Sequence, residues 1–465
     1  MHVATISHVL LGCAVAGWVA WVVHPAQGDP KPTGAAVEDL DTKAMHGLDA
    51  RFGTTGSIPD PAGDRATRYR TFVRERLQQD AFYKKTLPAV FRILQYRYPL
   101  GQVPPLPLTL SVANDGGEFY YVDTPCAASD RVQVAPWWDL SSTVRICSKD
   151  YRPELTTDDR LGEPRYCEYS GQIGHTHGER VCRCGPNLMS CARDPQMQTD
   201  IYNAYLQEVV ATIQYVIQKN LPFSRILTTN ETVRNDFAEF FYARSRYLTT
   251  GKLDYPKPDR TKPPTLRPRD TEFDGGVLST YQTIYNGADS HRSTVWQLWE
   301  SYLCTPLSSS NVVASEMFHV GGQEGQLRTA ERIELTQKKG CEDCHRELEY
   351  AARPFFRGFP SQWQGQRYMP HTIGDTKLYV GRAGEPRATG PATLGWLGSA
   401  MVAQPEFSAC IVQKTEALVY AGLPVPAHVH GHLQETFKKA ESFAALLEDA
   451  VVARYVGLDA GHAAP

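Results

Sequence analysis

Five consecutive residues, Cys341-Glu342-Asp343-Cys344-His345, constrain this chain more than any other feature. Two thiols three positions apart, followed at once by an imidazole, have the spacing at which the thiols form thioethers with the vinyl groups of one haem. The adjacent histidine then reaches the iron. Other sources of such a pattern are chance, a redox dithiol and half of a zinc site. A thioredoxin-type dithiol sits beside a βαβ pattern, and none is visible here. Zinc requires further ligands close by. The reading adopted is one covalent c-type haem, with Cys341 and Cys344 as attachment points and His345 as the proximal ligand.

The sixth ligand is less constrained. Met369 precedes Pro370 in a turn-like stretch, and proline restrains the backbone of the residue before it. Met369 is therefore the first choice for the second axial position. His371, His319, Met317 and Met401 are rivals, and core packing is the ordinary role of any one methionine. A Met or His opposite His345 suits electron transfer, because the coordination shell need not change. An open position suits peroxide or small-ligand chemistry.

The compartment follows from two observations. Val9 to Val23 is an uncharged apolar run that fits a secretory signal, or, extended back to Ala4, an anchor just long enough to span a bilayer. Leu10-Leu11-Gly12-Cys13 resembles a lipobox, but apolar sequence continues past Cys13. Of the 11 cysteines, one lies in this run and two in the haem motif. The rest are Cys126, Cys147, Cys167, Cys182, Cys184, Cys191, Cys304 and Cys410, an even set that fits disulfides in an oxidising compartment. The expected location is periplasmic or otherwise extracytoplasmic, with a possible tether in the inner membrane. Cys304 and Cys410 each adjoin a helical block flanking the haem segment and are expected to pair. Cys167, His175, His177, Cys182, Cys184 and Cys191 lie close in sequence, and disulfides and a zinc site are both open there.

A chain of 465 residues exceeds what one hydrophobic core usually serves. The expected fold is mainly α: a helical body with a Cys-rich strand and loop insertion and a c-type haem segment. The expected divisions are a signal peptide or membrane anchor (1–27), a linker (28–63), a helical part (64–107) and the Cys-rich insertion (108–198). A second helical part (199–306), the haem-binding segment (307–385) and a C-terminal helical piece (386–465) follow. Apolar spacing predicts helices in 64–98 and 199–220, 230–247 looks helical too, 277–303 and 316–339 lead into the haem motif, and 432–455 is one amphipathic stretch. Pro256 to Pro268 reads as an extended, exposed connector. Trp137-Trp138 reads as the core plug of a small loop-rich unit rather than a relay or interface anchor. Lys338-Lys339 reads equally as a docking point for an acidic partner and as a solvated helix end.

Four blocks carry a resemblance. They are Leu221-Pro222-Phe223-Ser224-Arg225-Ile226-Leu227-Thr228, then Gly276-Val277-Leu278-Ser279 with Leu303-Cys304-Thr305-Pro306, then Gln326-Leu327-Arg328 through Cys341–His345 to Leu348, and Pro405-Glu406-Phe407-Ser408-Ala409-Cys410. In this order they resemble a family of exported bacterial cytochrome-like proteins, the planctomycete-type domains of unknown function with one C-x-x-C-H motif. The likeness runs from about Arg70 to Gly422. It departs after the motif, where Glu349-Tyr350-Ala351-Ala352 replaces the family's Asp-Pro-Leu-Gly. The resemblance implies a mostly helical, exported mono-haem protein.

A formal net charge of −3 gives no basic surface for nucleic acid. There is no G-x-S-x-G, P-loop or dinucleotide-binding glycine pattern. The resulting expectation is a c-type cytochrome in electron transfer, a subunit of a membrane-associated redox assembly that meets redox partner proteins. The membrane contact is through the N-terminus. A haem oxidoreductase acting on peroxide or an exported substrate, and a structural assembly subunit, are the alternatives.

Overall fold

The computed structural model describes residues 34–60, 63–91, 107–151, 157–158, 163–164, 184–189, 191–240, 242–243, 252–255, 257–269, 274–280, 282–283, 291–305, 350–355, 375–380 and 385–458. They form a mainly helical structure with short strands. Among them no helix is long and apolar enough to cross a membrane. The apolar run 9–23 and the stretch 316–339 lie outside the described residues.

The stretch read as a linker contains a helix, α1 (Gly34–Phe52). Its buried positions are Asp41, Met45, Leu48, Asp49 and Phe52, which share one face at helical spacing. Two aspartates in that stripe hide its amphipathicity. Their partners lie on the next helix, α2 (Arg65–Arg76). Arg76 Nε binds Asp49 Oδ1 at 2.6 Å and Arg65 Nη2 binds Asp41 Oδ1 at 2.6 Å. Asp64 caps α2 by accepting from the Thr67 amide at 2.9 Å. A π-helical turn (Phe82–Thr86) and α3 (Leu87–Phe91) follow.

The Cys-rich part folds as strands and loops. β1 (Leu108–Thr109) is followed by β2 (Ser111–Asn114), β3 (Glu118–Tyr121), β4 (Arg131–Val134) and β5 (Val144–Cys147). The last four form one sheet in the order β2-β3-β5-β4, with β3 and β5 parallel and the other pairs antiparallel. A two-residue ladder joins β6 (Thr157–Asp158) to β7 (Glu163–Pro164), and β8 (Cys191–Ala192) runs parallel to β1. Trp137 is fully buried, as a plug should be. Its Nε1 donates to the Cys191 carbonyl at 2.8 Å, and its ring lies 4.1 Å from that of Phe240.

α4 (Pro195–Gln218) begins inside the part assigned to the insertion. Asp194 sets its start by accepting from the Met197 amide at 2.7 Å, and Pro195 occupies the first turn. After α5 (Arg225–Thr228) the chain expected to be helical over 230–247 is instead first a strand, β9 (Glu231–Arg234), and then helical over 236–240. Thr232, Val233 and Arg234 are all buried, a pattern that suits a covered strand as well as a helix. The proline-rich connector ends in β10 (Thr265–Pro268), which pairs antiparallel with β9. It is extended as expected, but it is an integral edge strand.

Helix α6 (His291–Tyr302), the hairpin of β11 (Thr376–Leu378) and β12 (Ala388–Gly390), and α7 (Leu394–Val402) follow. The division placed at 385/386 falls inside this hairpin. α8 (Pro405–Tyr420), α9 (Ala427–Ala440) and α10 (Phe443–Tyr455) complete the fold. The amphipathic stretch 432–455 is thus two helices. Glu441 adopts a left-handed conformation with φ 47°, and Ser442 then caps α10 by accepting from the Ala445 amide. Phe437, Phe443, Leu446, Leu447 and Val451 are buried as their pattern requires. α10 lies along α2, where Arg74 makes two 2.8 Å bonds to Glu448 and Tyr69 stacks on Tyr455 with 5.4 Å between centroids.

Close backbone approach joins the middle of the molecule. The 3₁₀ turn Gly276–Ser279 packs against α5, and α7 packs against both. A Cβ on Gly398 of α7 would overlap the Leu227 carbonyl of α5, backbone that cannot swing aside. Gly398→Ala should therefore cost about 1–3 kcal/mol, the usual range for overpacking. Urea denaturation should show a lowered midpoint at an unchanged slope.

Candidate functional site

Cys341, Cys344, His345 and Met369 lie outside the described residues, as do the rivals His371, His319 and Met317. Met401 is described: it is fully buried in α7, in the core-packing role that is ordinary for methionine. The structure does describe all four ends of the two stretches, 306–349 and 356–374, that carry the expected ligands.

Those ends meet. Trp299 of α6 is fully buried and donates from Nε1 to the Tyr379 carbonyl at 2.8 Å. This ties the helix before the first stretch to the residues just after β11. The helical turn 350–355 follows the first stretch and buries Ala351, Ala352 and Phe355 in the common core. The Tyr350 ring lies 6.4 Å from that of Tyr379. Arg353, just before the second stretch, donates to the carbonyl of Asp375, just after it. Cys304 follows α6 with φ 51° and is bridged to Cys410 of α8, Cα to Cα 5.1 Å. Both stretches are therefore rooted on one patch built from α6, 350–355, β11 and α8.

The other described cysteines fall into two further bridges, Cys126–Cys147 and Cys184–Cys191. Cys184 is thus in a disulfide rather than a zinc shell; Cys167, His175, His177 and Cys182 lie outside the described residues. Among the described residues no group of three or more His, Cys, Asp or Glu side chains is placed to hold a metal. The donor set at 341–345 fits a haem by its chemistry: two thiols for two vinyl carbons and one imidazole for iron. The six described cysteines pair with each other, so none of them takes Cys341 or Cys344 as a partner.

A second constellation was not found from the sequence. Glu208 on α4 is buried, and its carboxylate accepts from Thr232 Oγ1 and from the Tyr242 hydroxyl, each at 2.6 Å. Arg269 Nη2 stands 3.3 Å from Glu208 Oε1, and its guanidinium also donates to Tyr242 and to Ser279. Arg234 donates to Glu239 at 2.6 Å, to Thr232 at 2.9 Å and to the Pro268 carbonyl at 2.8 Å. Burial pushes the Tyr242 hydroxyl well above its ordinary value, so it stays protonated and keeps donating. Two carboxylates and two guanidiniums balance, and apart from the Arg234–Thr232 bond within β9 the links join separate parts of the chain. The cluster is a clamp between α4, the β9–β10 pair and the turn Gly276–Ser279. Its trace in the sequence is slight: Glu208 and Thr212 interrupt the apolar stripe of Tyr205, Val209, Ile213 and Val216. Reading 230–247 as helix removed the strand that aligns Thr232 and Arg234 with them.

Comparison with protein-family models, with curated proteins and with solved structures finds no match for this chain.

Two outcomes are expected. Peptide mapping without reduction should return Cys126–Cys147, Cys184–Cys191 and Cys304–Cys410 as linked pairs. Glu208→Gln should cost about 3–5 kcal/mol, because it strips a buried guanidinium of its counter-charge. Asp80→Asn, which breaks the exposed 2.9 Å pair with Lys84, should cost about 1 kcal/mol at most. Urea titration of both variants measures the contrast.

Proposed function

We propose that the chain is an exported mono-haem c-type cytochrome that carries electrons within a membrane-associated redox assembly. The observation that carries this reading is Cys341-Glu342-Asp343-Cys344-His345. Cys341 and Cys344 would hold the haem through thioethers, and His345 and Met369 would ligate its iron. When bound, the haem supplies one-electron redox chemistry at iron.

Two structural facts support the reading. The three bridges among the described residues are of the kind that persist in oxidising compartments, where c-type haem is normally attached. Among the described residues, the other blocks that carry the family resemblance also make contact in pairs. Leu221–Thr228 packs on Gly276–Ser279, and Leu303–Pro306 is joined to Pro405–Cys410 through the Cys304–Cys410 bridge. Carriage of one electron requires a second protein to give or receive it, hence the expected redox partners or fellow subunits.

Protein from a host that attaches c-type haem should retain one haem per chain by mass after denaturation. Cys341→Ala with Cys344→Ala should abolish it. A haem-free or non-covalently loaded wild type ends this reading. Met369→Ala should remove a sulfur-to-iron charge-transfer band, lower the reduction potential and admit carbon monoxide. A wild type that is high-spin and already binds carbon monoxide readily would turn the assignment from carrier to haem oxidoreductase.

A further inference from the structure

Near its start, helix α9 carries three histidines, His428, His430 and His432. They divide between two faces. His430 uses both ring nitrogens on neighbours: Nδ1 donates to Glu416 Oε1 of α8 at 2.8 Å, and Nε2 accepts from Gln434 Nε2 at 2.9 Å. His428 and His432 stand four positions apart, so they lie one above the other on a single face. That face borders the buried stripe of Val429, Leu433 and Phe437. His428 is exposed and His432 is partly exposed. A side chain at Gly431 would meet nothing within 4 Å, so nothing crowds the surface beside the pair. His432 Nε2 faces Asp449 Oδ2 of α10 at 3.6 Å. The same carboxylate accepts from Arg70 of α2 at 2.8 Å through Oδ1 and from Thr436 Oγ1 at 3.2 Å through Oδ2. It is thus fixed in place against the His432 ring.

We infer that His428 and His432 form a surface site for a divalent transition metal of the zinc, copper or nickel type, with Asp449 orienting the His432 ring. The site is independent of the haem reading. Helical geometry sets the Cβ atoms of such a pair about 5–6 Å apart. Two imidazoles at that spacing reach one metal at the usual nitrogen distance of about 2.0–2.1 Å by side-chain rotation alone. Imidazole suits zinc, copper and nickel, whereas magnesium and calcium take oxygen ligands. The metal takes one ring nitrogen of His432 while the carboxylate holds the other, which fixes the tautomer and makes the ring a better ligand. Glu435, exposed and three positions after His432, adds negative charge along the same face. Only two side chains ligate, since among the described residues no group of three His, Cys, Asp or Glu stands ready. Water completes the shell, so the site binds less tightly than a closed structural zinc centre and keeps positions open to exchange.

The test is titration of the full-length protein, purified without a polyhistidine tag, with Zn²⁺, read by calorimetry and by the urea midpoint. Wild type should bind Zn²⁺, and its midpoint should rise as the metal is added. His428→Ala and His432→Gln should each weaken one Zn²⁺ equivalent about tenfold or more, and His428→Ala should leave the metal-free midpoint near that of wild type. Asp449→Asn should weaken the same equivalent about tenfold, the usual effect of losing a carboxylate behind a histidine ligand. His430→Ala should lower the metal-free midpoint and keep the wild-type Zn²⁺ affinity, because its ring is engaged elsewhere. A wild type that binds no Zn²⁺ overturns the inference, as does His428→Ala that titrates like wild type. Loss of the equivalent in His430→Ala overturns it too, because the metal then sits on the other face. His428 is exposed, so its variant decides even where Asp449→Asn or His432→Gln does not fold.

Discussion

The carboxylate of Glu208 is the interaction on which most of this structure leans. A charge buried in α4 is stable only if its desolvation is offset, and here hydroxyls and a guanidinium from later parts of the chain supply the partners. Meeting that need brings β9, β10 and the Gly276–Ser279 turn onto one face of α4. The turn in turn receives α5 and α7 at backbone contact distance, where glycine is the only residue that fits. The middle of the fold is thus organised by polar satisfaction, and the apolar core closes around it. An apolar contact tolerates a small slide, but this carboxylate constrains direction as well as distance, which makes the arrangement specific.

Disulfides do a different job at two length scales. Cys184–Cys191 closes a short loop with seven positions between partners and staples local backbone beside Trp137. Cys304 and Cys410 stand 106 positions apart and close a ring containing Cys341–His345, Met369 and the β11–β12 hairpin. By the chain-entropy estimate a ring of that size is worth about 4–5 kcal/mol through restriction of the unfolded chain. It is comparable to a large part of a typical domain's net stability.

Much of this was legible in sequence wherever one signal dominated. The apolar stripe of α4 stood out, and so did the change of composition in 108–191 and the flanking positions of Cys304 and Cys410. The readings failed where two signals competed. α1 carries Asp41 and Asp49 on its buried face because Arg65 and Arg76 await them on α2, and a pairing of that kind cannot be read from hydropathy. β9 is buried on both sides, and period alone cannot separate such a strand from a helix. The break at Glu441 depends on a left-handed backbone at a residue that does not advertise it. The expected haem ligands came from a local motif and need no tertiary information, whereas the contact of Tyr350 with Tyr379 emerges only in three dimensions.

The ring closed by Cys304 and Cys410 also has a temporal side. In a chain exported N-terminus first, Cys304 reaches the oxidising side before its partner does. Cys341 and Cys344 arrive in the interval, so the first thiols Cys304 can meet downstream are the two proposed to hold the haem. Correct pairing is therefore a matter of sequence in time: either the motif thiols are consumed first, or a wrong bridge forms and must be exchanged. On the proposed reading, the order in which two covalent chemistries act on four cysteines is built into where they stand along the chain.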